Sequence, residues 1–224
     1  MSNLLQTFLQ KADTKAFDAE HKRKLLFNIG KYNATVVKGK KQYADLEYVR
    51  KKAKNIKWKV MENLDKYLIE FETNFTANGG KVIWANDEKE AQQEILKILQ
   101  KKEARMVVKA KSMATEEIHL NEFLGEHNIE SVETDLGEYI QQLDGEAPYH
   151  IVTPAMHKSK DDVAKLFNEK LGTDLNLTAQ ELTLVARKNL RQKYVQADVG
   201  FSGANFILPD IGGIAVTENE GNGR

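Results

Sequence analysis

Residues 105–133, R-M-V-V-K-A-K-S-M-A-T-E-E-I-H-L-N-E-F-L-G-E-H-N-I-E-S-V-E, change their hydrophobic period twice. The run 105–110 is short and apolar, as a buried strand is. Residues 115–127 take up helical spacing, and 129–133 return to a strand pattern. Strand, helix, strand in so short a span is the crossover unit of a parallel sheet. Working outward, 81–85 (K-V-I-W-A) predicts a further strand. Asp87 with Glu90 forms a capping box for a helix to about 101 that buries Ala91, Ile95, Ile98 and Leu99. Downstream come a helix at 136–143, a strand at 149–153 stopped by Pro154, and a helix capped by Ser159 and running to about 170. Thr178 with Glu181 opens a last helix to about 196, with Leu177 and Leu182 placed as its hydrophobic staple. This alternation predicts an α/β fold, a parallel-rich sheet flanked by helices.

The first 78 residues differ in character and read as helical throughout. Leu46, Val49, Ala53, Ile56, Val60, Leu64, Leu68, Phe71 and Phe75 recur at three and four, which predicts one amphipathic helix over 43–77. Asn78-Gly79-Gly80 ends it with residues that tolerate the left-handed conformation. The expected division is therefore a long-helix region at 1–78 and an α/β domain at 79–224. Within 38–59, nine basic residues stand against Asp45 and Glu47. A solvated helix face accounts for them, and an electrostatic docking strip is the alternative reading.

Bulk composition excludes several classes. The 33 basic and 33 acidic residues balance, so no net charge draws the chain toward nucleic acid or anionic lipid. No apolar run approaches the ~18 residues of a membrane span, and no signal pattern opens the chain; a cytoplasmic location is the expectation. The absence of cysteine rules out disulfides and thiolate-ligated clusters within these residues. The five histidines fall at no metal-ligand spacing, so no metal site is expected, and neither glycine-rich nucleotide fingerprint occurs.

Toward the end of the chain, 205–208 and 214–217 are two short strands around P-D-I-G-G, a turn in which Pro209 presets one dihedral and glycine supplies a positive one. The run S-G-A-N-F-I-L-P-D-I-G-G-I-A-V-T-E-N-E-G-N-G-R at 202–224 resembles the signature of LUD-domain proteins, above all their LutB-type lactate-utilisation iron–sulfur branch. K-A-K-S-M-A-T-E-E-I-H-L-N (109–121), V-E-T-D-L-G-E-Y-I-Q-Q-L (132–143) and H-I-V-T-P-A-M-H-K (150–158) carry the same resemblance, which covers nearly the whole chain.

The resemblance implies a NagB/RpiA/CoA-transferase-like fold, incomplete here. It also implies a subunit of a cytoplasmic complex that oxidises L-lactate to pyruvate, with the other subunits as partners. The 4Fe-4S clusters of the family sit in ferredoxin-like cysteine segments beyond the LUD domain. A chain ending at Arg224 is thus expected to be an N-terminal fragment, proteolytic or deliberately short, and redox-inactive alone. An unpaired sheet edge would allow a homodimer.

An open α/β sheet places its ligand crevice beyond the carboxyl ends of the strands, and two loops qualify. In 109–115, Lys109, Lys111 and Ser112 with free helix N–H groups suit a small carboxylate or a phosphate. Ser202, Gly203 and Asn205 would add donors to the same crevice. Helix capping and solvated lysines are the plainer account of that loop. In 218–224, Glu218 or Glu220 has the chemistry of a general base or nucleophile, Asn222 of a polar positioner and Arg224 of a carboxylate clamp. Two further functions stay open on the residues: a stand-alone acyl-transfer or sugar-phosphate enzyme using Glu218 or Glu220, and a docking scaffold whose 1–78 region recruits partners.

Overall fold

The computed structural model describes residues 3–150, 152–217 and 221. In chain order the helices and strands are α1 (Asn3–Ala16), α2 (Ala19–Lys40), α3 (Leu46–Met61), α4 (Leu64–Ala77), α5 (Glu88–Lys101), β1 (Met106–Lys109), α6 (Met113–Glu117), α7 (Leu120–Glu126), β2 (Glu130–Glu133), α8 (Leu136–Asp144), α9 (Lys160–Leu171), α10 (Ala179–Gln196), β3 (Val199–Phe201), β4 (Phe206–Leu208) and β5 (Gly213–Ala215). No helix among the described residues is long and apolar enough to cross a membrane. The chain divides into two compact units, Met1–Leu46 with Ile140–Leu184, and Glu47–Tyr139 with Val185–Arg224.

In the first unit the helix ends are fixed by side chains. Asp18 accepts from His21 N at the start of α2, and Ser159 and Asp162 form a reciprocal capping box at the start of α9. Lys24 Nζ reaches the same Asp162 at 2.6 Å, and Asn28 Nδ2 donates to Met156 O at 2.7 Å. Ala164, Leu166 and Phe167 are buried from α9.

The second unit holds a three-stranded sheet of order β2-β1-β3, parallel throughout, with Val107 opposite both Ser131 and Val199. Its core packs Leu96 and Leu99 of α5, Val107 of β1, Leu120 and Leu124 of α7, and Ile129 into one apolar cluster. The helix-flanked α/β architecture is the expected one. Asp198 Oδ2 accepts from Arg105 N and Met106 N at 2.8 and 3.0 Å, which ties the entry of β3 to the entry of β1. β4 and β5 form an antiparallel hairpin, with Gly212 at φ +56 in its turn.

Five local expectations need correction. Ile98, expected to be buried, is 41% exposed, and Leu96 joins Leu99 in the core instead. The helix expected over 43–77 breaks into α3 and α4, because the Asn63 side chain donates to Lys59 O at 2.9 Å and closes off α3. The helix expected over 115–127 breaks at His119, which sits at φ +46. Residues 81–85 form no strand; they join neither edge of the sheet, and Trp84 donates from its indole nitrogen to Glu72 Oε2 at 3.1 Å instead. The third strand comes from 199–201, a three-residue run too short and too glycine-rich to stand out. Residues 149, 150, 152 and 153 are also not strand: His150 Nδ1 accepts from Val152 N and Thr153 N, a side-chain turn that replaces a ladder.

Gly212 is the position with least tolerance. A Cβ there would lie 2.3 Å from the backbone carbon of Asn74, in a conformation L residues resist. Asn74 Nδ2 donates to Pro209 O at 2.8 Å and Asn78 Nδ2 to Ile211 O at 2.9 Å, so α4 clasps this turn. Gly212→Ala is expected to destabilise by about 1–3 kcal/mol, whereas Gly30→Ala, with open space around it within α2, gains roughly 0.5–1 kcal/mol. Urea denaturation of the two variants checks this; equal effects would contradict it.

Candidate functional site

β1 and β2 end side by side, and the residues at and just beyond their carboxyl ends build a dense polar network. Lys109, the last residue of β1, is 1% exposed. Its Nζ donates to Glu133 Oε1 at 2.6 Å, to Asn121 Oδ1 at 2.8 Å and to Glu116 Oε1 at 3.3 Å. Asn121 Nδ2 donates to the same Glu133 oxygen at 2.8 Å, and Ser131 Oγ to Asn121 Oδ1 at 2.7 Å. A buried ammonium requires partners of this kind, because desolvation alone would expel it. Thr134 closes the network by donating from both N and Oγ1 to Lys109 O.

The next turn is more polar still. Lys111 Nζ lies 3.5 Å from Asp135 Oδ2, and Asp135 Oδ1 accepts from Glu138 N at 3.1 Å. Glu138 is 3% exposed, and its Oε2 has no hydrogen-bond partner among the described residues. Burial first, then the Glu133 and Asp135 charges, push the Glu138 carboxyl up to about 8 against the opposing pull of Lys111. It is therefore neutral at pH 7 and able to donate a hydrogen bond.

Opposite this turn lies the 202–203 segment. A Cβ on Gly203 would sit 3.3 Å from Ser112 Cβ and Oγ and 3.4 Å from Lys111 O, so the two loops touch. Ser112 caps α6 by backbone position without a side-chain cap bond, and Thr115 Oγ1 donates to Ser112 O at 2.8 Å. A cavity of about 340 Å³ in the first unit is lined by Lys24, Lys158, Asp144 and Asp162, whose charges already pair with one another. In the second unit, a cavity of about 310 Å³ opens along β1 and β3, lined by Ala110, Thr134, Tyr194, Gly200 and Ser202. That volume falls at the small end of ligand sites.

The structure thus brings together Lys111, Ser112, Ser202 and Gly203, with Lys109 turned inward beneath them. Asn205 faces the hairpin, where its Oδ1 accepts from Thr217 N at 2.7 Å. Glu218, Glu220, Asn222 and Arg224 lie outside the described residues. Glu133, Thr134, Asp135, Glu138 and Tyr194 were not singled out from sequence. The signal available for the acids was the run E-T-D-L-G-E directly following a strand. Among the described residues, no group of three or more His, Asp or Glu is placed to hold a metal ion. With no cysteine in the chain, its residues do not fit an iron–sulfur cluster.

A parallel sheet with polar loops gathered at its carboxyl edge defines an α/β domain of the kind that holds a ligand beyond its strand ends. The chain belongs to the LUD-domain family, whose profile matches residues 68–224. It is 44% identical over 176 residues to lactate utilization protein B of Bacillus subtilis, covering 78% of this chain and 37% of that protein. It is 39% identical over all 224 residues to lactate utilization protein B of Macrococcus caseolyticus, 44% of that protein's length. It is 41% identical over 175 residues to the uncharacterized electron transport protein YkgF of Escherichia coli, covering 78% of this chain and 37% of that one. The chain spans less than half the length of these relatives. No solved structure matches it.

The Glu138 proton gives a pH signature. Through the window from about 4.5 to about 8 the folded state keeps a proton that the unfolded chain has released, so the Glu138 contribution falls as pH rises across it. Glu138→Gln removes that dependence. The stability advantage of the variant over the parent is expected to grow from pH 5 to pH 8, by at most about 1.4 kcal/mol per pH unit. Urea midpoints at four pH values test it, and a pH-independent difference would refute it.

Proposed function

We propose that this chain is the LUD-domain part of a protein of lactate utilisation, a subunit of a cytoplasmic iron–sulfur complex that oxidises L-lactate to pyruvate. The observation that carries the reading is the 39–44% identity to relatives named lactate utilization protein B. The name of the Escherichia coli relative, an electron transport protein, agrees with it. In this reading residues 79–224 are the LUD domain and 1–78 a helical region that precedes it.

The role of the chain's own residues is to bind and orient a small carboxylate. Ser202 lines the β1–β3 cavity, and Lys111 and Ser112, on the loop that touches Gly203, supply positive charge and a hydroxyl donor beside it. Lys109 supports that loop from below, and Asn205 holds the following hairpin. The neutral Glu138 keeps the acid-rich edge from repelling an anion, since Lys109 offsets Glu133 and Lys111 offsets Asp135. Lactate releases two electrons on becoming pyruvate, and no residue here accepts them. The 4Fe-4S centres are assigned to polypeptide outside this chain, and the other complex subunits are its partners.

Titration of the 15N-labelled chain with L-lactate and with pyruvate tests the binding role. Amide shifts are expected at 109–115 and 200–205, and Lys111→Met is expected to weaken them at least tenfold. Absence of shifts at 50 mM ligand, or shifts confined to other segments, would overturn the site. Lactate-dependent dye reduction by the purified chain alone would overturn the assignment of the redox centres elsewhere.

A further inference from the structure

The helix α3 has an apolar stripe whose middle, Val49, Ala53 and Ile56, is exposed, with Leu46 and Val60 half-buried at its ends. None of its residues is buried. Val49 is 40% and Ile56 56% exposed, in contrast with Phe71 of α4, which is 8% exposed in the core. The stripe consists of Leu46, Val49, Ala53, Ile56 and Val60, at spacings of three, four, three and four. That is the strict a/d seam of a coiled coil, narrower than the apolar face of a helix that lies on a globular core.

The residues bordering the seam are uniform in charge. With Leu46, Ala53 and Val60 at a and Val49 and Ile56 at d, the e positions are Arg50 and Lys57 and the g positions Lys52 and Lys59. All four flanking positions are basic. In a parallel or an antiparallel pairing of two copies these positions would face one another, cation against cation, so a second α3 is the wrong partner. A bilayer surface fits less well. Its helices carry a broad apolar face with aromatic residues on it, whereas Trp58 and Tyr48 here stand at f and c, away from the stripe.

We infer that α3 is a docking helix for an acidic amphipathic helix on a partner protein, one with apolar a and d residues and Glu or Asp at its e and g positions. At 16 residues the seam is about 24 Å long, slightly over two heptads. The contact is accordingly a selective, salt-sensitive one that adds to other contacts in an assembly. The inference stands independently of the lactate reading, because it uses no residue of the carboxyl-edge site.

The test uses the whole chain and two synthetic three-heptad peptides. Both carry Leu at a and d; one has Glu at every e and g position and the other Lys. The acidic peptide is expected to bind at least tenfold more tightly than the basic one, with affinity falling as salt rises. Combined Arg50→Glu, Lys52→Glu, Lys57→Glu and Lys59→Glu reverses the preference. Val49→Asn with Ile56→Asn abolishes binding of both peptides; these positions are exposed, so circular dichroism is expected to show an unchanged fold. Equal affinity for the two peptides would overturn the proposal, as would binding that survives the double Asn variant. Binding to vesicles containing phosphatidylglycerol, lost in the double Asn variant while neither peptide binds, would assign the face to a membrane and overturn it too.

Discussion

A buried lysine at the end of a central strand constrains everything around it. Lys109 sits on β1, between β2 and β3, and its ammonium has no route to water at 1% exposure. The strand therefore stays central only if neighbours supply negative charge and acceptors inside the protein. Glu133 at the same level of β2, Asn121 of α7 and Glu116 of α6 do so. A one-residue slip between β1 and β2 would turn Glu133 to the other face and break the shortest of the Lys109 contacts, so the ion pair fixes register as well as energy. Its clearest consequence is specificity of pairing.

The same constraint organises the carboxyl edge. Because Lys109 is committed inward, Lys111, two residues on, is the cation of this loop nearest the surface, at 27% side-chain exposure beside Asp135. Glu133, Asp135 and Glu138 then crowd one corner, and three like charges in so small a volume cannot all persist under burial. Glu138 is the one that takes the proton. The contact of Gly203 with Ser112 closes the corner from the β3 side, where a side chain larger than hydrogen would press into the loop.

Much of the fold could be read before any coordinates. The pairs Asp87 with Glu90 and Thr178 with Glu181 begin helices where the capping chemistry says they should, with Glu90 N and Glu181 N donating to the cap side chains. Glycine at a positive φ in the hairpin turn was legible in P-D-I-G-G. Local chemistry of this kind is short in range, and so sequence shows it. What did not show was decided by pairing between distant segments. Residues 81–85 have strand character yet join no sheet, whereas 199–201 have little character and pair with β1. Asn63 could be seen as polar, but its bond to Lys59 O could not. The rule of strand ends points to Lys111, Ser112 and Gly203, whose loops lie against each other. The inward turn of Lys109 and the role of Glu133, Asp135 and Glu138 depended on which side chains meet across β1 and β2, and no spacing within one segment carries that.

The carboxyl edge depends first on the Lys109–Glu133 pair. A double-mutant cycle in urea with Lys109→Met, Glu133→Gln and the combined variant measures it directly. Each single change is predicted to cost about 3–5 kcal/mol, since it removes the nearest opposite charge from a buried ion, and the double variant to recover much of that loss. Single losses under about 1 kcal/mol that simply add in the double variant would mean that the two groups do not depend on each other, and the reading of the carboxyl edge would fail with them.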